Sequence, residues 1–126
     1  MKTETQLATE AIGFPPSTPT EEQIKGKLIT ANVSGTYAID LNAASDFHLT
    51  MTANTAFTFI NVPTTIIELR RCKIRLTGAF SGTFTQAGLN TFGDDYEATK
   101  WNDVLVELWF TTVLKGLLIF QQRETV

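Results

Sequence analysis

Hydrophobic and polar residues alternate with a period of two through most of this chain. In one stretch, Phe47, Leu49 and Met51 are separated by single polar residues. Successive side chains of a strand point to opposite faces, so strict alternation indicates a strand with one buried face. The same pattern recurs in later stretches, and it predicts a protein made of β-strands.

Turn-forming residues separate these stretches at intervals of about 8–12 residues, the spacing typical of a sandwich or barrel. We therefore expect an all-β fold, an antiparallel β-sandwich of jelly-roll-like type. The predicted domain covers residues 27–126. Its predicted strands are 27–33, 35–41, 46–53, 56–61, 66–78, 82–86, 103–112 and 116–123, with a further short strand near 89–93.

The first 26 residues differ from the rest of the chain in composition. Residues 14–20 hold three of the four prolines. Proline fixes φ and offers no backbone N–H, so such a segment is extended and semi-rigid. Residues 1–26 are therefore predicted to form an extended arm. Its apolar residues Leu7, Ile12 and Phe14 are expected to dock on the body of the protein or on a neighbouring subunit.

The last two predicted strands are apolar on nearly both faces. A strand of this kind is either covered on both sides or meets another subunit with one face. We interpret these strands as the interface of a homo-oligomer, with a trimer as the first expectation. The predicted interface residues are Leu105, Trp109, Leu118 and Phe120.

Composition narrows the classes of function. The 126 residues include 21 threonines and only 18% charged residues, with a formal net charge of -3. Without a basic cluster, nucleic-acid binding is not expected. The N-terminus does not have the pattern of a signal peptide, and no apolar run approaches the roughly 20 residues that span a bilayer. We expect a protein that folds in the cytoplasm without a membrane anchor.

Residues that could carry chemistry are few. One cysteine, Cys72, and one histidine, His48, are too few for a disulfide framework or a multi-cysteine zinc site. An acidic group near residue 95 does not have the spacing of a calcium-binding loop, and we interpret it as a solvated loop. That group consists of Asp94, Asp95, Glu97 and Asp103. No catalytic residue, metal ligand or cofactor is expected.

Two aromatic residues in the loop-rich segment after residue 93 suggest an alternative. Tyr96 and Trp101 offer rings on which the face of a sugar could stack, and binding residues are often found in loops. The alternative function is therefore a carbohydrate-binding module.

The order of the strand motifs resembles a small β module of tailed-bacteriophage structural proteins, found in tail fibres, receptor-binding proteins and head-surface proteins. The resemblance extends from about Gly35 to Gln122. It departs from the usual pattern at residues 86–90, where the typical tryptophan-proline stretch is missing. The matching motifs are Gly35–Asn42, Asp46–Pro63, Lys73–Gly78, a Gly/Thr hairpin and two closing hydrophobic strands.

This resemblance implies a non-enzymatic protein of the virion, a head-decoration or tail component that acts by assembly with other virion proteins. It transfers no catalytic residue. The carbohydrate alternative would then be a host-recognition module that contacts a glycan on the host surface.

Overall fold

The computed structural model describes residues 26–125, and this part of the chain is built from seven strands and contains no helix. The all-β class is therefore confirmed. The predicted arm, with Leu7, Ile12 and Phe14, lies outside the described residues. The strands are β1 (Leu28–Asp40), β2 (Asp46–Ile60), β3 (Leu69–Thr77), β4 (Gly82–Phe84), β5 (Leu89–Gly93), β6 (Lys100–Phe110) and β7 (Leu114–Thr125).

All seven strands belong to one mixed sheet in the order β1-β2-β3-β6-β7-β5, and β4 pairs with β2 beyond the position of β3. The predicted antiparallel pairing holds for β3–β6 and β6–β7. The other four ladders, β1–β2, β2–β3, β2–β4 and β5–β7, are parallel. Period-two alternation is the same in both kinds of ladder, so the pattern alone could not distinguish them.

Because β1 and β2 pair in parallel, the chain must circle back after β1 to begin β2 beside the start of β1. We call each such circuit of the chain a coil. Leu28 pairs with Asp46 at one end of the ladder and Asp40 pairs with Ile60 at the other. Residues 41–45 alone carry the chain back from the end of β1 to the start of β2. They reach at most about 20 Å, whereas a straight 13-residue strand spans about 43 Å. The strand must therefore bend.

The bend lies at a shift in register between Val33 and Gly35. Gly35 has a φ of 66°, a left-handed conformation that glycine adopts without the penalty paid by other residues. At the matching bend of β2, residues 52–54 face a single residue of β1. Two separately predicted strands, before and after each bend, are therefore one continuous bent strand in the structure.

The inward side chains stay in phase around both bends. Val33 and Ile39 of β1, and Met51 and Phe57 of β2, are all buried although the chain turns between them. In each strand, an odd number of residues separates the inward residue before the bend from the inward residue after it, as in a regular strand. The side chains after the bend therefore point to the same side of the sheet as those before it. One hydrophobic cluster collects the inward residues from both sides of the bends.

The second coil is longer than the first. Leu28 pairs with Asp46, a separation of 18 residues, and Asp46 pairs with Lys73, a separation of 27. The additional residues are shared among β2, the connection 61–68 and the first four residues of β3. The connection 61–68 has eight residues, whereas the connection 41–45 of the first coil has five, and the longer connection carries exposed side chains.

We predict that Phe57→Ala destabilises the protein by about 3–5 kcal/mol, because this ring is fully buried and stacks on Phe84 with ring centroids 5.2 Å apart. Urea unfolding measures the effect. Phe92→Ala is the matched control, since Phe92 is mostly exposed. Equal losses of unfolding free energy in the two variants would contradict the assigned core.

Candidate interaction surfaces

The outer face of β3, β6 and β7 carries apolar side chains that the protein does not bury. Leu105 is 38% exposed and Leu69 is 40% exposed. Leu105 lies directly opposite Ile119, and Leu69 lies opposite Trp109. We call this surface the outer patch; it consists of Leu69, Leu105, Trp109, Leu117 and Ile119.

The predicted interface residues lie on opposite faces of the hairpin formed by β6 and β7. Leu105 and Trp109 point outward and belong to the outer patch. Leu118 is fully buried in the hydrophobic core, and Phe120 packs against the same core with an edge-to-face contact to Phe84. The expectation that Leu118 forms the interface therefore needs correction, because this side chain is fully buried in the core of its own subunit. Phe120 is only partly buried, so its place in an interface stays a prediction.

Charged side chains adjoin the outer patch and interrupt it at Glu107, which lies between Leu105 and Trp109 on β6. The Nε of Arg71 donates to the Glu107 carboxylate at 2.9 Å, and the Nε of Arg75 donates to the Asp103 carboxylate at 2.8 Å. Arg123 approaches the second oxygen of Asp103 at 3.3 Å. Arg71, Lys73 and Arg75 share one face of β3, as the alternation predicts.

Asp103 is the most deeply buried of these charged groups. Burial opposes its ionisation, but hydrogen bonds and charge attraction from Arg75, with smaller contributions from Lys73 and Arg123, hold its pKa below the ordinary value of 3.8. The carboxylate is therefore anchored in its ionised form between two guanidinium groups. Such an arrangement fixes the position of β6 relative to its neighbours.

A groove lies between the edge strands β4 and β5. Among the described residues, β4 pairs only with β2 and β5 pairs only with β7, and residues of both strands line the groove. Its volume is about 370 Å³. We call it the β4–β5 groove; its aromatic residues are Phe84, Phe92, Tyr96 and Phe120, and its carboxylates are Asp94 and Asp95.

The aromatic residues of this groove differ in how far they are packed against the core. Phe84 stacks on Phe57 and Phe59 and meets Phe120 edge to face with ring centroids 6.0 Å apart. Phe92, in contrast, is 57% exposed. The groove therefore combines packed aromatic rings with one large ring in contact with water and with two carboxylates.

The structure places the two predicted sugar-contacting residues in different surroundings. Tyr96 lines the groove, packs on the core and donates its hydroxyl to the backbone oxygen of Gly78. Trp101 lies on the outer side of β6, with the guanidinium of Arg75 4.5 Å from the centre of its ring. The two rings do not form one platform. Sugar contact by either ring alone stays a prediction.

The acidic group near residue 95 does not converge on one point. Asp94 accepts a hydrogen bond from the backbone N–H of Gln122 at 2.8 Å, while Asp103 faces the arginines of the outer side. No group of three or more potential ligands that could hold a metal ion occurs among residues 26–125. No helix in this described part is long and apolar enough to cross a membrane.

Cys72 lies in the core, as its place in the alternation predicts. Burial, with a smaller contribution from the negative charge of Asp46, raises the pKa of this thiol to about 12. It is therefore protonated at neutral pH and is a poor nucleophile, because the reactive form of cysteine is the thiolate.

The connection 61–68 presents two aliphatic side chains to solvent. Ile66 is 77% exposed and Ile67 is 89% exposed. A carboxylate oxygen of Glu68 accepts hydrogen bonds from the backbone N–H groups of Thr64 at 2.7 Å and Thr65 at 3.2 Å. These bonds, the one from Thr64 being the largest cause, lower the pKa of Glu68. We call this connection the isoleucine loop.

Sequence reasoning missed this loop because it assigned residues 66–78 to one strand. Two adjacent isoleucines do not alternate, and they follow a proline-threonine-threonine segment. These features are signals of a loop. The β4–β5 groove was missed as well, because its residues come from three separate stretches that only the fold brings together.

Comparison of the chain with protein-family models, with curated proteins and with solved structures finds no match. The resemblance to phage structural proteins therefore stays a prediction from the sequence.

We predict that Asp103→Asn makes the stability of the protein less dependent on acid. Because the pKa of Asp103 is depressed in the fold, its ionised form contributes stability above the unfolded pKa, and that contribution is lost as pH falls below about 4. The variant should lose about 1.5–3 kcal/mol at pH 7 and show a flatter profile below pH 4. Urea unfolding across this range measures both effects.

The control is Asp95→Asn, which removes a carboxylate that makes no ion pair with any described residue. It should keep the profile of the unsubstituted protein. An Asp103→Asn profile as steep as that of the control below pH 4 would contradict the role of the ion pair.

Proposed function

We propose that this protein is a non-enzymatic structural protein that acts by self-assembly, as a surface-exposed component of a bacteriophage virion. The outer patch is the observation that carries the assembly proposal. Large apolar side chains on the face of a regular sheet are costly to leave in water, and contiguous patches of this kind mark interaction sites.

The composition of the outer patch suits a specific interface. Leu105, Leu117 and Ile119 are neighbours on β6 and β7, and the ion pairs of Arg71 with Glu107 and of Arg75 with Asp103 join β6 to β3 beside them. Protein interfaces typically combine an apolar core, including aromatic residues, with a polar rim. Trp109, which belongs to the residue types that dominate binding energy, is the natural anchor.

The virion assignment is supported by the order of strand motifs described above, and a homotrimer is the proposed assembly. The regular sheet of the described residues supports the proposed role as a structural component of a larger assembly. The alternative of a glycan-binding module has less support, because Tyr96 and Trp101 lie in separate surroundings.

We expect Trp109→Asp to shift the protein toward the monomer mass of 13.9 kDa, because the substitution removes the large aromatic ring of the patch and puts a charged group in its place, which must lose its hydration when the interface forms. Light scattering coupled to size exclusion measures the mass. Thr111→Asp introduces the same charge at an exposed position of the β6–β7 turn and should leave the mass unchanged. A Trp109→Asp protein that is folded and keeps its oligomeric mass would refute the interface.

Deletion of residues 1–24 tests the predicted arm. The core described here comes from residues 33–118, so the truncated protein should keep its strands and its cooperative unfolding. It should fail to incorporate into particles, because Leu7, Ile12 and Phe14 are the proposed docking residues. Substitution of these three residues by serine in the full chain should reproduce the defect. Normal incorporation of both variants would refute a docking role.

A further inference from the structure

The β4–β5 groove has the size of a small-molecule site and an unbalanced charge. Its volume of about 370 Å³ lies within the range of about 300–1,000 Å³ that is usual for such sites. Asp94 and Asp95 contribute two carboxylates, and none of the described residues that line the groove is basic. Aromatic rings supply the rest of its large side chains. The groove therefore favours a ligand that combines a positive charge with an apolar surface.

Phe92 offers ring surface to such a ligand. This side chain is 57% exposed, whereas Phe84 is stacked on Phe57 and meets Phe120 edge to face. The face of an aromatic ring attracts a nearby cation, and the attraction is stronger where water is excluded. Covering the ring also removes apolar surface from water. One exposed ring can thus stabilise a bound organic cation in two ways.

Asp95 is the carboxylate that the fold leaves open to a ligand. Its side chain forms no ion pair or hydrogen bond with any described residue. One oxygen of Asp94 accepts the backbone N–H of Gln122 at 2.8 Å, which leaves its other oxygen. The ammonium of Lys100 donates to the side-chain oxygen of Gln122 at 3.3 Å rather than to either carboxylate. No ion pair within the described part of the chain therefore neutralises the groove.

The segment that carries both carboxylates is fastened to β7. The backbone N–H of Asp94 donates to the backbone oxygen of Phe120 at 2.9 Å, and the side-chain amide of Gln122 donates to the backbone oxygen of Asp95 at 3.0 Å. Gly93 permits this close approach, since its φ is 95° and a Cβ atom there would collide with the backbone oxygen of Phe120. Because the segment is already ordered, little binding energy is lost in ordering it.

The same features favour an organic cation over other ligands. Asp94 and Asp95 would repel an anion, and a neutral sugar would gain hydrogen bonds to them but no charge attraction. The hydroxyl proton of Tyr96 is already donated to the backbone oxygen of Gly78, so a sugar cannot use it. A bound metal ion is not expected, since no group of three or more suitable ligands occurs among residues 26–125.

We propose that the β4–β5 groove binds a small organic cation through its alkylammonium group. The ammonium lies next to the carboxylate of Asp95, and its methyl or methylene groups cover the exposed ring of Phe92. This inference goes beyond the proposed assembly. The groove shares no residue with the outer patch, so the site does not depend on self-association.

Titration with choline, followed through the backbone amide signals in NMR spectra, tests the site. The control ligand is 3,3-dimethyl-1-butanol, in which carbon replaces the charged nitrogen of choline and the shape is kept. Choline should bind with a millimolar Kd, at least about fivefold more tightly than the neutral alcohol. The signals that shift should come mainly from residues 91–96 and 120–122.

Three variants identify the groups that bind. Asp95→Asn keeps the shape of the side chain and should weaken choline binding at least about fivefold without a change for the neutral alcohol. Phe92→Ala should weaken the binding of both ligands, because it removes ring surface. Both positions are exposed, so these variants should stay folded. The matched control Asp46→Asn removes a carboxylate at the start of β2, outside the groove lining, and should leave choline binding unchanged.

The possible results decide the proposal separately from self-assembly. Absence of choline binding up to about 50 mM, or equal binding of choline and the neutral alcohol, would overturn it. Tighter binding of methyl glucoside than of choline, or choline binding that Asp95→Asn leaves unchanged, would also overturn it. None of these results affects the outer patch. Preferential choline binding that depends on Asp95 and Phe92 would support the site.

Discussion

The buried guanidinium of Arg70 binds the connection at which the chain turns back between β1 and β2. It donates to the backbone oxygen of Leu41 and to the side-chain oxygen of Asn42, both in the five-residue connection after β1. That connection must reverse the chain within about 20 Å, so its backbone groups cannot all pair within a ladder. The guanidinium of Arg70 satisfies the oxygen of Leu41, while N–H groups of the connection donate to Asp40 and to the backbone oxygens of Ile60 and Lys27. Arg70 thereby ties β3 to the connection that lets β1 and β2 pair in parallel.

β3 is the strand at which the sheet changes from parallel to antiparallel pairing. It pairs in parallel with β2 and antiparallel with β6, so it joins the coil to the C-terminal hairpin. Its inward residues complete the core, and its outward residues supply the arginines that bind Asp103 and Glu107. The same strand therefore carries the transition from coil to hairpin and the charged border of the outer patch. An interface placed here would be rigid, because both neighbouring ladders hold the strand.

The alternation of the sequence predicted the strands well and their partners poorly. It located β4 and the short β5, and it placed Cys72 in the core, because inward and outward positions follow directly from a period of two. It could not join 27–33 to 35–41 as one bent strand, because a glycine indicates a break as readily as a bend. It also extended β3 back to residue 66, since isoleucine favours strands and local preference cannot register an exposed loop.

The candidate surfaces show the same division between local and distant information. The sequence by itself determined an all-β protein, an apolar C-terminal hairpin and the few residues available for chemistry, since these depend on composition and on neighbouring positions. Only the tertiary structure decided that Leu105 and Trp109 face outward while Leu118 fills the core. It also brought Phe84, Phe92 and Phe120 together in one groove. The physical reason is that both results depend on which strands pair, and strand pairing is decided by chain reversal and by burial across the whole molecule.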